Sequence, residues 1–132
     1  MAQPYQEIVL CDNLAITDVL THDPSTDAAI AVADIHPYQM VALKIDNTTN
    51  QSVRVQFKGN IGRSGVALAT TALVRPDDLG SPITVLTADS ETRTLPWYDK
   101  TPTIYPEITA LVAPTSGSVR IVAICQGLME GL

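Results

Sequence analysis

Two segments, Met40 to Lys58 and Tyr105 to Gln126, each carry two apolar runs of β type around a polar turn, and they restrict the fold more than any other feature of the chain. In the first segment, Val53, Val55 and Phe57 alternate with Arg54, Gln56 and Lys58, which turns one face to a core and the other to water. Val41, Leu43 and Ile45 alternate likewise with Ala42, Lys44 and Asp46, and Asn47-Thr48-Thr49-Asn50-Gln51 lies between the two runs. Asn and Thr side chains bond their own backbone and close turns, so the segment reads as a hairpin pairing Met40 to Asp46 with Ser52 to Lys58. In the second segment, Ile108, Ala110 and Val112 alternate with Thr109, Leu111 and Ala113. Beyond Pro114-Thr115-Ser116-Gly117, the run Val119 to Ile124 is nearly all apolar and predicts a strand covered on both faces, paired with Glu107 to Ala113.

The remaining pattern is of short pieces. Residues 1–27 hold one apolar patch at Ile8-Val9-Leu10 and another around Leu14, Ile16, Val19 and Leu20, and read as an arm with one or two short strands. Ala28 to Ala33 is taken as a strand that His36-Pro37 ends. The glycine-containing stretch 59–65 is a loop, residues 66–74 fit helix or strand equally, and residues 75–82 hold two prolines and a glycine that forbid a regular ladder. Ile83 to Leu86 and Thr92 to Leu95 read as short strands around Ala88-Asp89-Ser90-Glu91, followed by a loop from Pro96 to Pro102. Turn signals about every ten residues indicate a sandwich or barrel rather than βαβ units. The expected fold is all-β: a single antiparallel β-sandwich, jelly-roll-like, spanning 28–126, with an N-terminal arm (1–27) and a C-terminal tail (127–132).

At 132 residues, one core is expected. Eight basic residues against fourteen acidic ones, with the basic ones scattered, leave no stripe for a phosphate backbone, so nucleic acid is not an expected partner. No apolar run approaches the roughly 18 residues that span a bilayer, and the first residues lack the features of a secretory signal, which points to synthesis in the cytoplasm. Cys11 and Cys125 have no metal-type spacing and read as buried free thiols. The triplets Asn47-Thr48-Thr49 and Asn50-Gln51-Ser52 have the form of glycosylation acceptors but read better as turn chemistry.

Catalytic chemistry finds little to work with. Ser64 lies in Gly62-Arg63-Ser64-Gly65, where the second glycine falls one position early for a nucleophile elbow, and no P-loop Gly-Lys-Ser/Thr is present. His22 and His36 lack a second ligand at i+2 or i+4 and read as surface histidines beside prolines. The loop carboxylates, Asp77-Asp78 among them, have no EF-hand spacing. No catalytic residue, cofactor or metal is assigned, and no enzymatic activity is expected. Trp97, Tyr98 and Tyr105 offer either a platform for a sugar or a wet aromatic rim. Leu128, Met129 and Leu132 put apolar side chains on a glycine-containing tail and, with Ile8, Val9 and Leu10, form the candidate interface.

The stretch from Val41 to Asn60, with its Asn-Thr-Thr, Gln-Ser-Val and Gly-Asn steps, resembles a hairpin of small β-sandwich proteins in tailed-bacteriophage virions. Trp97, Tyr105-Pro106-Glu107-Ile108 and Ala113 to Ile121 look like the closing hairpin of the same proteins, so the resemblance covers roughly residues 28 to 126. It implies a virion protein of the head decoration, or cement, type. Its partners would be the major capsid protein and further copies of itself, as a homo-oligomer, with a trimer favoured. It implies no catalytic residues. A host-recognition or carbohydrate-binding module and a tail or neck protein of the virion are the alternatives.

Overall fold

A computed structural model describes residues 5–35, 37–60, 71–72, 82–96 and 103–128. The expectations for residues 61–70, 73–81, 97–102 and 129–132, and for His36, lie outside the described residues. The described residues form ten strands: β1 (Tyr5–Leu14), β2 (Thr21–His22), β3 (Ala33–Asp34), β4 (Tyr38–Asn47), β5 (Val53–Asn60), β6 (Thr71–Ala72), β7 (Ile83–Val85), β8 (Asp89–Pro96), β9 (Thr103–Ala110) and β10 (Val119–Leu128). They form two antiparallel sheets. One has the order β1-β10-β4-β8; the other has the order β2-β9-β5-β6, with β3 also on β9 and β7 also on β5.

The period-two runs lie in strands except for residues 111–113, which fall beyond the end of β9, and neither expected hairpin formed. β4 pairs with β10 and β8, whereas β5 pairs with β9, β7 and β6, so residues 48–52 carry the chain from one sheet to the other. Residues 111–118 do the same between β9 and β10. The physical reason lies in the apolar faces. Val41, Leu43 and Ile45 on one strand and Val53, Val55 and Phe57 on the next are all fully buried, and crossing over the core lets the two faces meet across it, where side-by-side pairing would need a further layer to cover both. Successive strands that alternate between sheets in this way give the jelly-roll wiring.

The segment expected as an arm is, over Tyr5–Leu14, an edge strand. β1 pairs with β10 from Tyr5↔Gln126 to Leu14↔Val119, with irregularities on either side of Cys11. Such a bulge lets adjacent residues point to one side, and Leu10 and Cys11 are both buried completely. The apolar patch is therefore satisfied inside its own sandwich. Of Ala28 to Ala33, Ala33 alone lies in a strand, while Ile30 makes an isolated bridge to Cys11. At the opposite edge β8 begins at Asp89, earlier than the composition of 88–91 suggests. Arg93 and Glu91 pair in register with Leu43 and Ile45, so they share the core-side face of that edge, and their ion pair is 3.1 Å.

Cys11 and Cys125 are buried as expected. Cys11 stands opposite Ile121 and Cys125 opposite Gln6, a separation of four residues along β10, or about 13 Å, which is beyond disulfide reach. Burial pushes both thiols up to about 11 from 9.0. A shift of that size lowers the thiolate fraction at pH 8 about a hundredfold. Native protein is thus expected to react with a disulfide reagent at least about a hundredfold more slowly than urea-unfolded protein, which a stopped-flow thiol assay will measure.

Candidate interface at the loop end of the sandwich

The register places four sheet-crossing connections at one end. Leu14 on β1, Asn47 on β4 and Asp89 on β8 lie beside the start of β10 or beside one another, and Val53 on β5 lies between Val85 on β7 and Ala110 on β9. Residues 15–20, 48–52, 86–88 and 111–118 all leave from this end.

Three of these connections are bound together. The Asn47 side chain is 1% exposed, and its Nδ2 is directed at the carbonyls of Gln51 (2.9 Å), Val85 (3.0 Å) and Leu86 (3.2 Å). Its Oδ1 accepts from the Thr49 amide at 3.0 Å and the Thr49 hydroxyl at 2.6 Å, while the Thr87 hydroxyl donates to the Thr49 carbonyl. Across to the other turn, the Thr48 amide donates to the Ser118 carbonyl at 2.9 Å, and the Ser118 amide returns a bond to Thr48 Oγ1 at 3.0 Å. Asn50 Nδ2 donates to Thr115 Oγ1 at 2.8 Å, and the Thr115 amide donates to Asn50 Oδ1 at 3.0 Å. Gly117 has φ +83°, and a Cβ there would lie 2.1 Å from the Thr48 carbonyl oxygen. The two polar turns in the sequence are thus one joined corner, and the amides of both asparagines are spent inside it.

At this end of the sandwich several large apolar side chains are exposed. Leu20 is 66% exposed, and Leu86, Leu111 and Val112 are each 57% exposed, with Val19 beside them in the 15–20 connection. Thr21 pairs with Thr109, so residues 19 and 20 run past the end of β9 next to Ala110 and Leu111. A bound rim of polar backbone beside exposed large apolar groups makes this end the candidate interface. The sequence reading missed these residues. The available signal was that Leu111 has the outward-facing phase of the alternation that runs through Ile108 and Ala110, and that Val19-Leu20 directly precedes a cluster of turn formers.

The expected interface residues fall elsewhere. Leu10 is wholly buried, Ile8 is partly buried against the core, and Val9 is exposed on β1. Leu128 ends β10 opposite Tyr38; Met129 and Leu132 lie outside the described residues. Tyr105 presents no stacking face, because it is completely buried, its hydroxyl without a hydrogen-bond partner among the described residues, and burial pushes that phenol up to about 12. Trp97 and Tyr98 lie outside the described residues. On the outer face of β5 and β9, Arg54, Gln56, Pro82, Glu107, Thr109 and Leu111 line a shallow cleft of about 180 Å³, below the roughly 300 Å³ at which small-molecule sites begin.

His22 is not the surface histidine expected. Its side chain is 14% exposed, with Nε2 2.7 Å from Asp18 Oδ1 and Nδ1 2.6 Å from Asp27 Oδ2. Burial by itself lowers its pKa, but the hydrogen bonds to Asp18 and Asp27 outweigh burial and hold it above the usual value. The same bond, with help from the Leu20 amide, holds the Asp18 carboxyl below its usual range. Among the described residues no three His, Cys, Asp or Glu groups are disposed to hold a metal ion. The sequence signal was an acid-histidine-acid set within ten residues.

The fold and its loop end define a jelly-roll β-sandwich. No family model matches the chain, and no curated protein matches it in sequence. Among solved structures it is similar to the SPBc2 prophage-derived protein YomS, with TM-score 0.59 and 11% identity over 96% of each chain. It is also similar to Bacillus endospore appendages described as a family of disulfide-linked pili, with TM-score 0.53, 16% identity, and coverage of 96% of this chain and 91% of that one. The VP2 subviral particle of infectious bursal disease virus gives TM-score 0.50 at 11% identity over 96% of this chain. The match spans about a third of that VP2 chain (33%). At such identities the likeness is one of fold.

Proposed function

We propose that this protein is a non-enzymatic structural subunit of a tailed-bacteriophage virion, a head decoration or cement protein that attaches to a shell of major capsid protein through the loop end of its sandwich. The observation that carries the reading is the set Leu86, Leu111 and Val112, exposed on a corner whose backbone is bound by the Asn47, Thr48 and Asn50 bonds, with Val19 and Leu20 exposed beside it on the 15–20 connection. A rigid apolar platform loses little freedom on docking. The likeness of fold to a prophage protein and to a viral shell protein supports the virion setting, as does the resemblance of the two corner turns to virion sandwich proteins. A pilus of the disulfide-linked kind is less well supported, because both thiols are buried. A sugar-binding reading loses Tyr105 as a platform.

The protein would act as a homo-oligomer, a trimer in this reading. Deleting residues 1–27 is a poor test of attachment, since it removes the edge strand β1. The better test is the pair Leu20→Asp and Leu111→Asp in one chain. Burial of a leucine is worth about 1.5 to 3 kcal/mol, so losing two half-exposed ones should weaken co-sedimentation with capsids of the same phage by about thirtyfold or more. The melting temperature should move by less than about 3 °C, as for other surface substitutions. Undiminished co-sedimentation would remove the loop end as the contact surface.

A further inference from the structure

We infer that Asp18, His22 and Asp27 form a pH-dependent latch that holds the Val19–Leu20 tip of the loop end in place while the imidazole is doubly protonated, and releases it when one proton leaves. The inference rests on the loop-end reading only for its consequence, since the latch itself is a property of the free protein.

The geometry carries the argument. A neutral imidazole has one N–H and one lone pair, so it can donate to one carboxylate and must turn the lone pair toward the other. Both ring nitrogens of His22 lie within 2.7 Å of a carboxylate oxygen, an arrangement satisfied on both sides only by the imidazolium. The two carboxylates come from opposite sides of β2: Asp18 four residues before His22 and Asp27 five residues after it. Asp18 also accepts from the Leu20 amide at 3.1 Å, so the residue that grips the ring also positions the tip. Asp27 is tied into its own turn through Asp23, whose carbonyl accepts the Asp27 amide at 3.0 Å.

The other ionisable groups on the neighbouring elements do not replace the imidazolium. Asp23 lies on the same connection; Asp12 and Cys11 lie on β1, where the Asp12 amide bonds the Ala29 carbonyl. On β9, next to the β2 pairing, are Tyr105 and Glu107, the latter 3.6 Å from Lys58 of β5. Once the ring is neutral, one carboxylate faces its lone pair, and Asp18, Asp23 and Asp27 repel one another across the connection. The sign follows: with the folded-state pKa raised, the stabilisation is complete below the unfolded value of about 6.5 and is lost as pH rises through the folded value. The tip is thus fixed below the unfolded value and loosens as pH rises through the folded one.

The test uses the full chain, without any shell. Nitrogen-15 NMR of the His22 ring should show both nitrogens protonated at pH 6 and a single titration with its midpoint above about 6.5. Asp27→Asn should lower that midpoint. At pH 6 the Leu20 amide should exchange with water about tenfold more slowly in the wild type than in His22→Gln, a hydrogen bond to a charged group being worth about that much. One pH unit above the midpoint the two should agree. A midpoint at or below 6.5, a lone pair on either ring nitrogen at pH 6, or equal exchange at pH 6 would each overturn the latch; should His22→Gln not fold, the wild-type titration and Asp27→Asn still decide it. Loss of capsid binding on Leu20→Asp and Leu111→Asp bears on attachment and leaves this result untouched.

Discussion

Gly117→Ala is expected to lower the stability of the fold by about 3 to 6 kcal/mol. The left-handed conformation at φ +83° costs a residue with a Cβ about 1 to 2 kcal/mol. The new methyl group would then lie 2.1 Å from the Thr48 carbonyl oxygen, 2.5 Å from its carbon and 2.7 Å from the Thr49 Cα. These are backbone atoms held in place by Asn47, so the 111–118 turn has to move. Moving it breaks the bonds between Thr48 and Ser118, two through backbone amides and one from the Thr48 hydroxyl to the Ser118 carbonyl, each worth about 0.5 to 1.5 kcal/mol. Thermal denaturation should show a loss of about 10 to 20 °C for a chain of this size. A loss below about 4 °C would mean that the corner can open without cost and is not the rigid platform described. Thr48→Ala, which removes only the hydroxyl bonds, should cost about 1 to 2 kcal/mol and separates the bonding loss from the backbone strain.

Asn47→Ala is expected to cost about 3 kcal/mol or more. The side chain is 1% exposed and supplies the donor for carbonyls of Gln51, Val85 and Leu86 and the acceptor for the Thr49 amide and hydroxyl. Each partner left buried and unpaired costs about 1 to 3 kcal/mol, reduced where water reaches the 86–88 turn. Because Thr49 and Asn47 act as one network, Thr49→Ala in the Asn47→Ala background should cost clearly less than in the wild type, by about 1 kcal/mol in a double-mutant cycle read from urea unfolding. Strict additivity would show that the two side chains act independently.

The strands themselves were legible in the sequence; their partners were not. Alternation of Val41, Leu43 and Ile45, or of Val53, Val55 and Phe57, states which face of a strand is buried. It is silent on whether the next strand lies beside it or across the core, and a five-residue connection suits either arrangement. Burial of the two apolar faces against each other favours the crossing, and the buried Asn47 fixes it by tying the connection to Val85 and Leu86 at the start of another crossing, a tertiary bond that leaves no trace in a local pattern. The same limit explains Leu10: an apolar triplet near one end of a chain reads as a sticky arm until an edge strand with a bulge is found to absorb it. Tyr105 was misread for a related reason, since its outward phase beside Lys58 says nothing of what covers it. Leu86 escaped because it sits just beyond β7, and Leu111 and Val112 because the alternation they belong to does not show that β9 stops at Ala110 and leaves both exposed.

The two free margins of the four-stranded sheet have a consequence for how copies of this chain can accumulate. An unmodified margin is a template on which one sheet can extend into the next, and so into fibres. On β1 the broken register around Cys11 spoils that template, and on β8 the Glu91–Arg93 pair turned toward the core side would have to be stripped of water by an incoming strand. Both features disfavour polymerisation along this sheet. A concentrated stock of the protein is expected to stay clear of thioflavin-positive filaments over days.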